Sequence, residues 1–254
     1  MHIRHTKLLN LVNEKNRVAV TELARALAVS EVTIRKDLST LERMGLLRRE
    51  HGFAAMAQSD DIANHLSFNY ETKRRIALRA AETVRNGETV MIESGSCCTL
   101  LAEELVSHRR DVTIITNSAF IAAFVRKAPG AHVILLGGEY QNESQVMVGP
   151  MIQRCVNEFY VDKLCVGIDG FHGAGFMSNN LMRAEAIRTM AKNVRRVVIL
   201  AESVKFTQSG VVALFPVQAV DSVFTDDGIP AEAAQALNAG DTHVYTVPTG
   251  DGEE

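Results

Sequence analysis

No stretch of eighteen consecutive apolar residues occurs in this chain of 254 residues, which argues against a membrane span. The first residues, "MHIRHTKLL", lack the uninterrupted apolar run and small-residue cleavage site of a secretory leader. A cytoplasmic protein that does not enter a membrane is therefore expected. Cysteine is scarce: Cys97, Cys98, Cys155 and Cys165 form no C-x-x-C pair. Adjacent Cys97 and Cys98 are poorly placed to chelate one ion together. Buried structural thiols are expected, since free cysteine packs as a small hydrophobe. The eight histidines are scattered without ligand spacing, so neither a metal nor another cofactor is expected.

Net charge is also small, −3 over the whole chain, but it is unevenly distributed. Residues 1–51 carry ten Lys and Arg against six Asp and Glu, which makes them +4 and leaves −7 for the rest. A basic first fifth on an acidic body suggests that the N-terminal part meets a polyanion, because counterion release from phosphate needs clustered cations. The length and the 46% hydrophobic content suit a small domain followed by a medium-sized one.

In the N-terminal part, Leu8, Leu9, Leu11 and Val12 have the spacing of an amphipathic helix. A second helix follows in "VAVTELARALAVS", with Thr21 as N-cap and Leu23, Ala24 and Leu27 facing inward. After a tight turn, "EVTIRKDLSTLERMGLL" predicts a third helix capped by Ser30, with Ile34, Leu38 and Leu41 as its apolar stripe. Two short helices joined in this way make a helix-turn-helix. With that stripe turned inward, Thr33, Arg35, Lys36 and Ser39 are available to bases and phosphates, as is the capping Ser30. "LLRREHGFA" predicts a β wing presenting Arg48, Arg49 and His51 to the DNA backbone or a minor groove. A three-helix interaction module with a solvated basic face is the alternative.

The stretch "VTELARALAVSEVTIRKDLSTLERMGLLRREHGFA" resembles the winged helix-turn-helix of the DeoR family of bacterial transcriptional regulators. That family carries Ser-x-x-Thr-Ile-Arg-Arg-Asp-Leu and a wing ending His-Gly-Gly-Ala. Ser30, Thr33, Ile34, Arg35, Asp37 and Leu38 match it, while Lys36 stands for the second Arg and Phe53 for the second Gly. The resemblance implies double-stranded operator DNA as partner.

Residues 58–72 are polar and weakly periodic, which suggests a connector between a DNA-binding domain at 1–57 and a larger domain at 73–248, with a flexible tail at 249–254. In the larger domain "ETVMIE", "VTIIT", "AHVILLG", "VDKLCVGI", "RRVVILA", "DSVFTDD" and "HVYTV" alternate with helical segments. That alternation predicts a Rossmann-like, mostly parallel α/β sheet covered on both faces. Ligands of such sheets bind beyond the carboxyl ends of the strands. The polar residues collect there: Glu93-Ser94-Gly95-Ser96, Thr116-Asn117, Gly137-Gly138, Asp169, and Glu202 to Lys205. A Ser/Gly turn opening a helix offers N–H groups and hydroxyls to a phosphate, and Lys205 a cation.

This order is similar to the effector-sensing domain of DeoR regulators, which itself resembles ribose-5-phosphate isomerase. The resemblance implies a phosphorylated sugar effector, with Ser94, Gly95, Ser96 and Thr99 at its phosphate, Lys205 beside it, and Asp169 and Glu185 along the sugar. Glu93 and Cys97 depart from the family's Asp-Ser-Gly-Ser/Thr-Thr, and Glu202 and Val204 from its Asp-Ser-Ser-Lys. A sugar-phosphate isomerase with a fused DNA-binding arm is the rival reading. Isomerases of this fold carry Asp-Gly-Ala-Asp-Glu and Lys-Gly-Gly-Gly where this chain has "IDGFHGAG" and "FMSNN", so a non-catalytic sensor is expected. An oligomerisation scaffold with a dead pocket is a third reading. Paired operator half-sites imply a homodimer or homotetramer.

Overall fold

The computed structural model describes residues 3–43, 46–55, 62–130, 132–173 and 175–249. It divides into two compact units, Met1–Glu71 and Thr72–Glu254. Among the described residues no helix is long and apolar enough to cross a membrane.

The first unit contains α1 (Ile3–Lys15), β1 (Arg17–Ala19), α2 (Val20–Ala26), α3 (Glu31–Arg43), β2 (Arg48–Glu50), β3 (Phe53–Ala55) and α4 (Ile62–Ser67). Leu8, Leu9, Val12, Leu23, Ile34, Leu38 and Leu41 are buried together, so the stripes read from helical spacing form its core. The wing is three-stranded and antiparallel, in the order β1-β3-β2. Its first strand comes from Arg17–Ala19, which looked like the start of a helix. Thr21 is therefore not the cap of α2: the helix begins at Val20, whose N–H donates to the Gly52 carbonyl of the wing (2.9 Å). A backbone partner replaces a side-chain cap at that helix end.

Asp37 ties α3 to α1. Its carboxylate, 7% exposed, accepts from Arg4 Nε (2.5 Å) and Nη2 (3.1 Å) and pairs with His5 Nε2 (3.1 Å). The Arg4 hydrogen bonds hold the Asp37 carboxyl below its ordinary range, against the opposing effect of burial. A depressed carboxyl adds stability that is complete above its unfolded pKa, about 3.9, and is lost as pH falls through the folded value. Asp37→Asn is therefore expected to lower the urea midpoint of the first unit at pH 7, with the difference from the parent shrinking as pH drops below about 4. Equal midpoints at pH 7 would contradict the clamp.

The segment expected as a connector is mostly helical where it is described: α4 ends at Ser67, Phe68 and Asn69 form a turn, and α5 (Tyr70–Ala81) begins inside it. Residues 58–61 lie outside the described residues. So do residues 250–254 of the expected tail, whereas Thr249 is fixed, its N–H donating to Asp227 Oδ1 (2.8 Å).

In the second unit the chain runs on through β4 (Thr89–Ile92), α6 (Ser96–His108), β5 (Thr113–Thr116), α7 (Ala119–Val125), β6 (His132–Leu135), β7 (Glu139–Gln141), β8 (Val146–Val148), α8 (Pro150–Val156) and β9 (Val161–Val166). It continues through β10 (Gly170–His172), β11 (Gly175–Ser178), α9 (Leu181–Ala191), β12 (Val194–Leu200), a 3-10 turn (Ser203–Thr207), β13 (Val212–Pro216), β14 (Ser222–Asp226), α10 (Ala231–Ala239) and β15 (His243–Val247). Seven strands form one parallel sheet in the order β15-β14-β12-β9-β4-β5-β6. Met91, Ile115, Leu164, Val197 and Val223 pack against Ile152 of α8, Ile187 of α9 and Leu237 of α10. The alternate residues Val90, Ile92, Ile114, Cys165 and Val198 are buried as well, so both faces are covered. A β7-β8 hairpin and a β10-β11-β13 antiparallel sheet flank the main sheet. From β4 the chain winds outward to β5 and β6, then returns to lay β9 on the other side of β4. The gap between β4 and β9 is thus the topological switch point, where open α/β sheets hold their ligands.

Candidate functional site

On the first unit, α3 presents an exposed face opposite Ile34, Leu38 and Leu41. Ser30 caps the helix, its Oγ accepting from Thr33 N (3.2 Å) and meeting Thr33 Oγ1 at 2.9 Å. Arg35 and Lys36 are exposed, and Arg35 rests against Glu31 at 2.9 Å. Ser39 serves the scaffold as well, donating to the Arg35 carbonyl (2.8 Å) and accepting from Arg49 Nη1 (2.5 Å). Through Ser39, and through the Arg49 N–H on Glu42 Oε1 (2.9 Å), the wing is held against the helix. Arg48 and His51 are exposed beside the turn at Gly52, while Phe53 lies in β3 with the Arg17 guanidinium 3.9 Å above its ring. A residue missed by a reading confined to polar side chains is Val32, which is 76% exposed in the first turn of α3.

On the second unit, the β4 end carries the cluster at the switch point. Gly95 has φ +124, a region that L side chains rarely adopt, and it opens α6. Its turn lies against the β9 end, where a Cβ on Gly167 would come within 3.5 Å of the Ser94 carbonyl. Glu93 is fully buried; its Oε1 accepts from Ser94 Oγ (2.6 Å) and from Arg183 Nη2 (3.3 Å), which also reaches Ser94 Oγ (3.1 Å). Burial pushes the Glu93 carboxyl up, and Arg183 opposes the shift. Asp169, the first acid after β9, acts electrostatically on both and is held by Ser178 Oγ (3.1 Å) and Asn179 N (2.8 Å). On the β5 end Thr116 and Asn117 are fully buried: Thr116 Oγ1 accepts from Ser118 N (3.0 Å), and Asn117 Nδ2 donates to the Met147 carbonyl (3.1 Å). Thr99 Oγ1 donates back to the Gly95 carbonyl (2.8 Å).

A second polar group gathers around the first turn of α6. Lys73 and Glu202 form a buried pair at 3.2 Å, and Asp226 accepts from Ser203 N (2.7 Å). Lys205 is half-buried in the 3-10 turn. All four charges act on the Cys97 thiol, but burial dominates and pushes it up to about 12. Burial likewise raises the thiols of Cys98 and Cys165, so these side chains pack and do not react. Ser96 stands at the head of α6, where free N–H groups and the helix dipole favour an anion. Among the described residues no group of three or more His, Cys, Asp and Glu is placed to hold a metal.

Two expectations do not fit this arrangement. Glu185 is exposed: on a helix, residues two apart point to nearly opposite sides, and Arg183 takes the inward direction. Gly137 and Gly138 are exposed and lead into the β7-β8 hairpin, where a Cβ at Gly138 would stand 2.6 Å from the Val148 carbonyl. Close backbone approach accounts for that glycine. Arg183 and Lys73 were missed because both occur in helices whose other cations, Arg188 and Arg74, make them look like surface charge.

An exposed basic helix-turn-helix with a wing, joined to a parallel α/β domain with a polar switch point, defines the class of ligand-responsive DNA-binding regulators. The DeoR-like helix-turn-helix model matches residues 4–60 and the DeoR C-terminal sensor domain residues 68–227; the chain belongs to the DeoR family. It is 30% identical over 238 residues to the HTH-type transcriptional repressor CsqR of Escherichia coli K12, covering 92% of this chain and 91% of that one. It is 29% identical over 245 residues to the glycerol-3-phosphate regulon repressor of Escherichia coli K12 (95% and 96% covered). The HTH-type transcriptional regulator GolR of Listeria innocua serovar 6a is 29% identical over 231 residues (89% and 91% covered). The chain is a transcriptional regulator with a DNA-binding and a sensor domain, not an enzyme.

Proposed function

We propose that the protein represses carbohydrate-metabolism genes in the bacterial cytoplasm and that a phosphorylated sugar or related metabolite controls it. The observation that carries this reading is the buried Glu93–Ser94–Arg183 cluster at the sheet's switch point, in a chain whose other unit presents α3 and its wing. Arg35 and Lys36 contact bases and phosphates, with Ser30, Thr33 and Ser39 shaping that face and Arg48, Arg49 and His51 following the backbone from the wing. Gly95, Ser96 and Thr99 hold the effector phosphate beside Lys205, and Glu93, Ser94, Thr116, Asn117 and Asp169 line the rest of the crevice. A homodimer or homotetramer presents paired α3 helices to operator half-sites. The effector shifts operator affinity only through unequal affinity for the two arrangements of those helices.

Selection of genomic fragments by the purified full chain, followed by thermal-shift screening of phosphorylated sugars, tests the reading. Specific fragments and a sugar phosphate that alters their retention are expected; fragments retained without sequence preference would overturn it. Val32 supplies the apolar element of base reading, suited to a thymine methyl. Losing two methyl groups at about 0.8 kcal/mol per buried CH₂, Val32→Ala is expected to weaken the selected operator roughly tenfold. Uracil in place of the contacted thymine, which removes one methyl, should weaken binding by about fourfold, and in Val32→Ala it should add little. Additive losses would remove Val32 from the base-reading set.

A further inference from the structure

We propose that the buried end of the crevice reads two adjacent hydroxyl groups of the effector through Glu93, Asn117 and Arg183. This rests on the sensor reading above and adds which part of the ligand lies where. Among the described residues, three buried polar atoms at this place have no hydrogen-bond partner: Glu93 Oε2, Asn117 Oδ1 and Arg183 Nε. Glu93 and Asn117 are each 0% exposed. They directly follow Ile92 and Thr116, an in-register pair of the adjacent parallel strands β4 and β5. By strand alternation they lie side by side on the face of Met91 and Ile115, which is the α9 face. Arg183 comes to the same place from α9.

Leaving a buried polar group unpaired costs about 1–3 kcal/mol, and native proteins carry few such groups. Three together at a switch point are accounted for by a ligand that completes them. A neighbouring atom of each of these side chains is already engaged, which fixes the orientation of the free ones. Glu93 Oε1 accepts from Ser94 and Arg183, Asn117 Nδ2 donates to Met147, and Arg183 Nη2 donates to Glu93 and Ser94.

Among the fully buried atoms the unfilled set is two acceptors and one donor. A vicinal diol matches it: its two O–H groups donate to Glu93 Oε2 and Asn117 Oδ1, and one hydroxyl oxygen accepts from Arg183 Nε–H. An ammonium group donates only and leaves Nε unpaired. A phosphate or carboxylate accepts only, leaves both oxygens unpaired and is repelled by Glu93. The anionic end of the effector therefore lies away from Glu93, toward Ser96 at the head of α6 and Lys205.

Calorimetric titration of the full chain tests this. The first panel is ribose 5-phosphate, glucose 6-phosphate, galactose 6-phosphate and fructose 6-phosphate, with ribose, sorbitol and inorganic phosphate. The second is the monodeoxy series, and the amino analogue, of whichever polyhydroxylated compound binds. Removing either of two adjacent hydroxyls is expected to weaken binding at least about tenfold, and an amine at one of them likewise. In Glu93→Gln, and independently in Asn117→Leu, discrimination at the corresponding carbon should fall below about threefold. The inference is overturned if no adjacent pair matters in the parent protein, or if both variants discriminate as the parent does. An unphosphorylated polyol that binds and discriminates, with no phosphorylated sugar binding, would remove the phosphate reading and leave the diol standing. No binding by any polyhydroxylated compound would overturn both.

Discussion

Arg183→Met is expected to destabilise the sensor unit by about 3–5 kcal/mol, the usual consequence of removing one partner of a buried ion pair. The reason lies with the partner that remains. Glu93 is fully buried, and Arg183 is the cation on it, at 3.3 Å with 19% of its side chain exposed. Met fills much of the same volume, so the loss isolates the charge and does not open a large cavity. Its sign with pH follows from Glu93. Burial raises that carboxyl, and a carboxyl raised on folding favours the native state below its unfolded pKa, about 4.3, and opposes it as pH rises through the folded value. Without Arg183 the carboxyl rises further, so the defect should be larger at pH 8 than at pH 5. Urea denaturation of the single variants and of Glu93→Gln/Arg183→Met measures the coupling. The double variant is expected to recover most of the loss, because no uncompensated charge stays buried. Additive losses, or a defect independent of pH, would show that the pair is not coupled.

The same cluster shows how far the sequence could be read. All seven strands of the main sheet were legible, because each is a short run with apolar β-formers between turn residues, and the central ones are apolar on both faces. The polar strand ends were legible too, since side chains that cannot pack in the core gather where the strands stop. Spatial order was not: nothing in "VDKLCVGI" says that it lies beside "ETVMIE" and so creates the switch point. β1 and the flanking antiparallel strands, three to five residues long, were missed because they are too short for alternation to stand out and lack the regular succession of strand and helix that marks the main sheet. Helix direction decided the choice between Arg183 and Glu185. Each has a plausible role by type, and only the rotation of α9 about its axis, fixed by burial of Ala184 and Ile187, turns Arg183 inward. In the first unit Asp37 was legible as part of a family pattern, but its partners are more than thirty residues away, on α1. Tertiary pairs of that kind leave no local mark.

The largest effect on DNA is expected from Arg35→Ala. In the unbound protein Arg35 is paired with Glu31 across one helical turn, both side chains largely in water. Such a pair is worth only about 0.3–0.5 kcal/mol, whereas a bidentate contact between an arginine and a guanine discriminates by about 1–3 kcal/mol. The exchange of partners favours DNA, and Glu31 meanwhile keeps the guanidinium extended along α3. If two half-sites are engaged the loss counts twice, so operator affinity should fall on the order of a hundredfold or more. Lys36→Ala should behave differently. A lysine that neutralises phosphate weakens all sequences alike and lowers the salt dependence of binding by about one unit per contact. Gel-shift titrations of the selected operator and of a scrambled duplex at several salt concentrations separate the two. Arg35→Ala should flatten the difference between operator and scrambled DNA, while Lys36→Ala should preserve that difference at lower overall affinity. Sugar-phosphate binding should be unchanged in both, since these residues belong to the other compact unit. Unaltered operator preference in Arg35→Ala would move base reading off this face of α3.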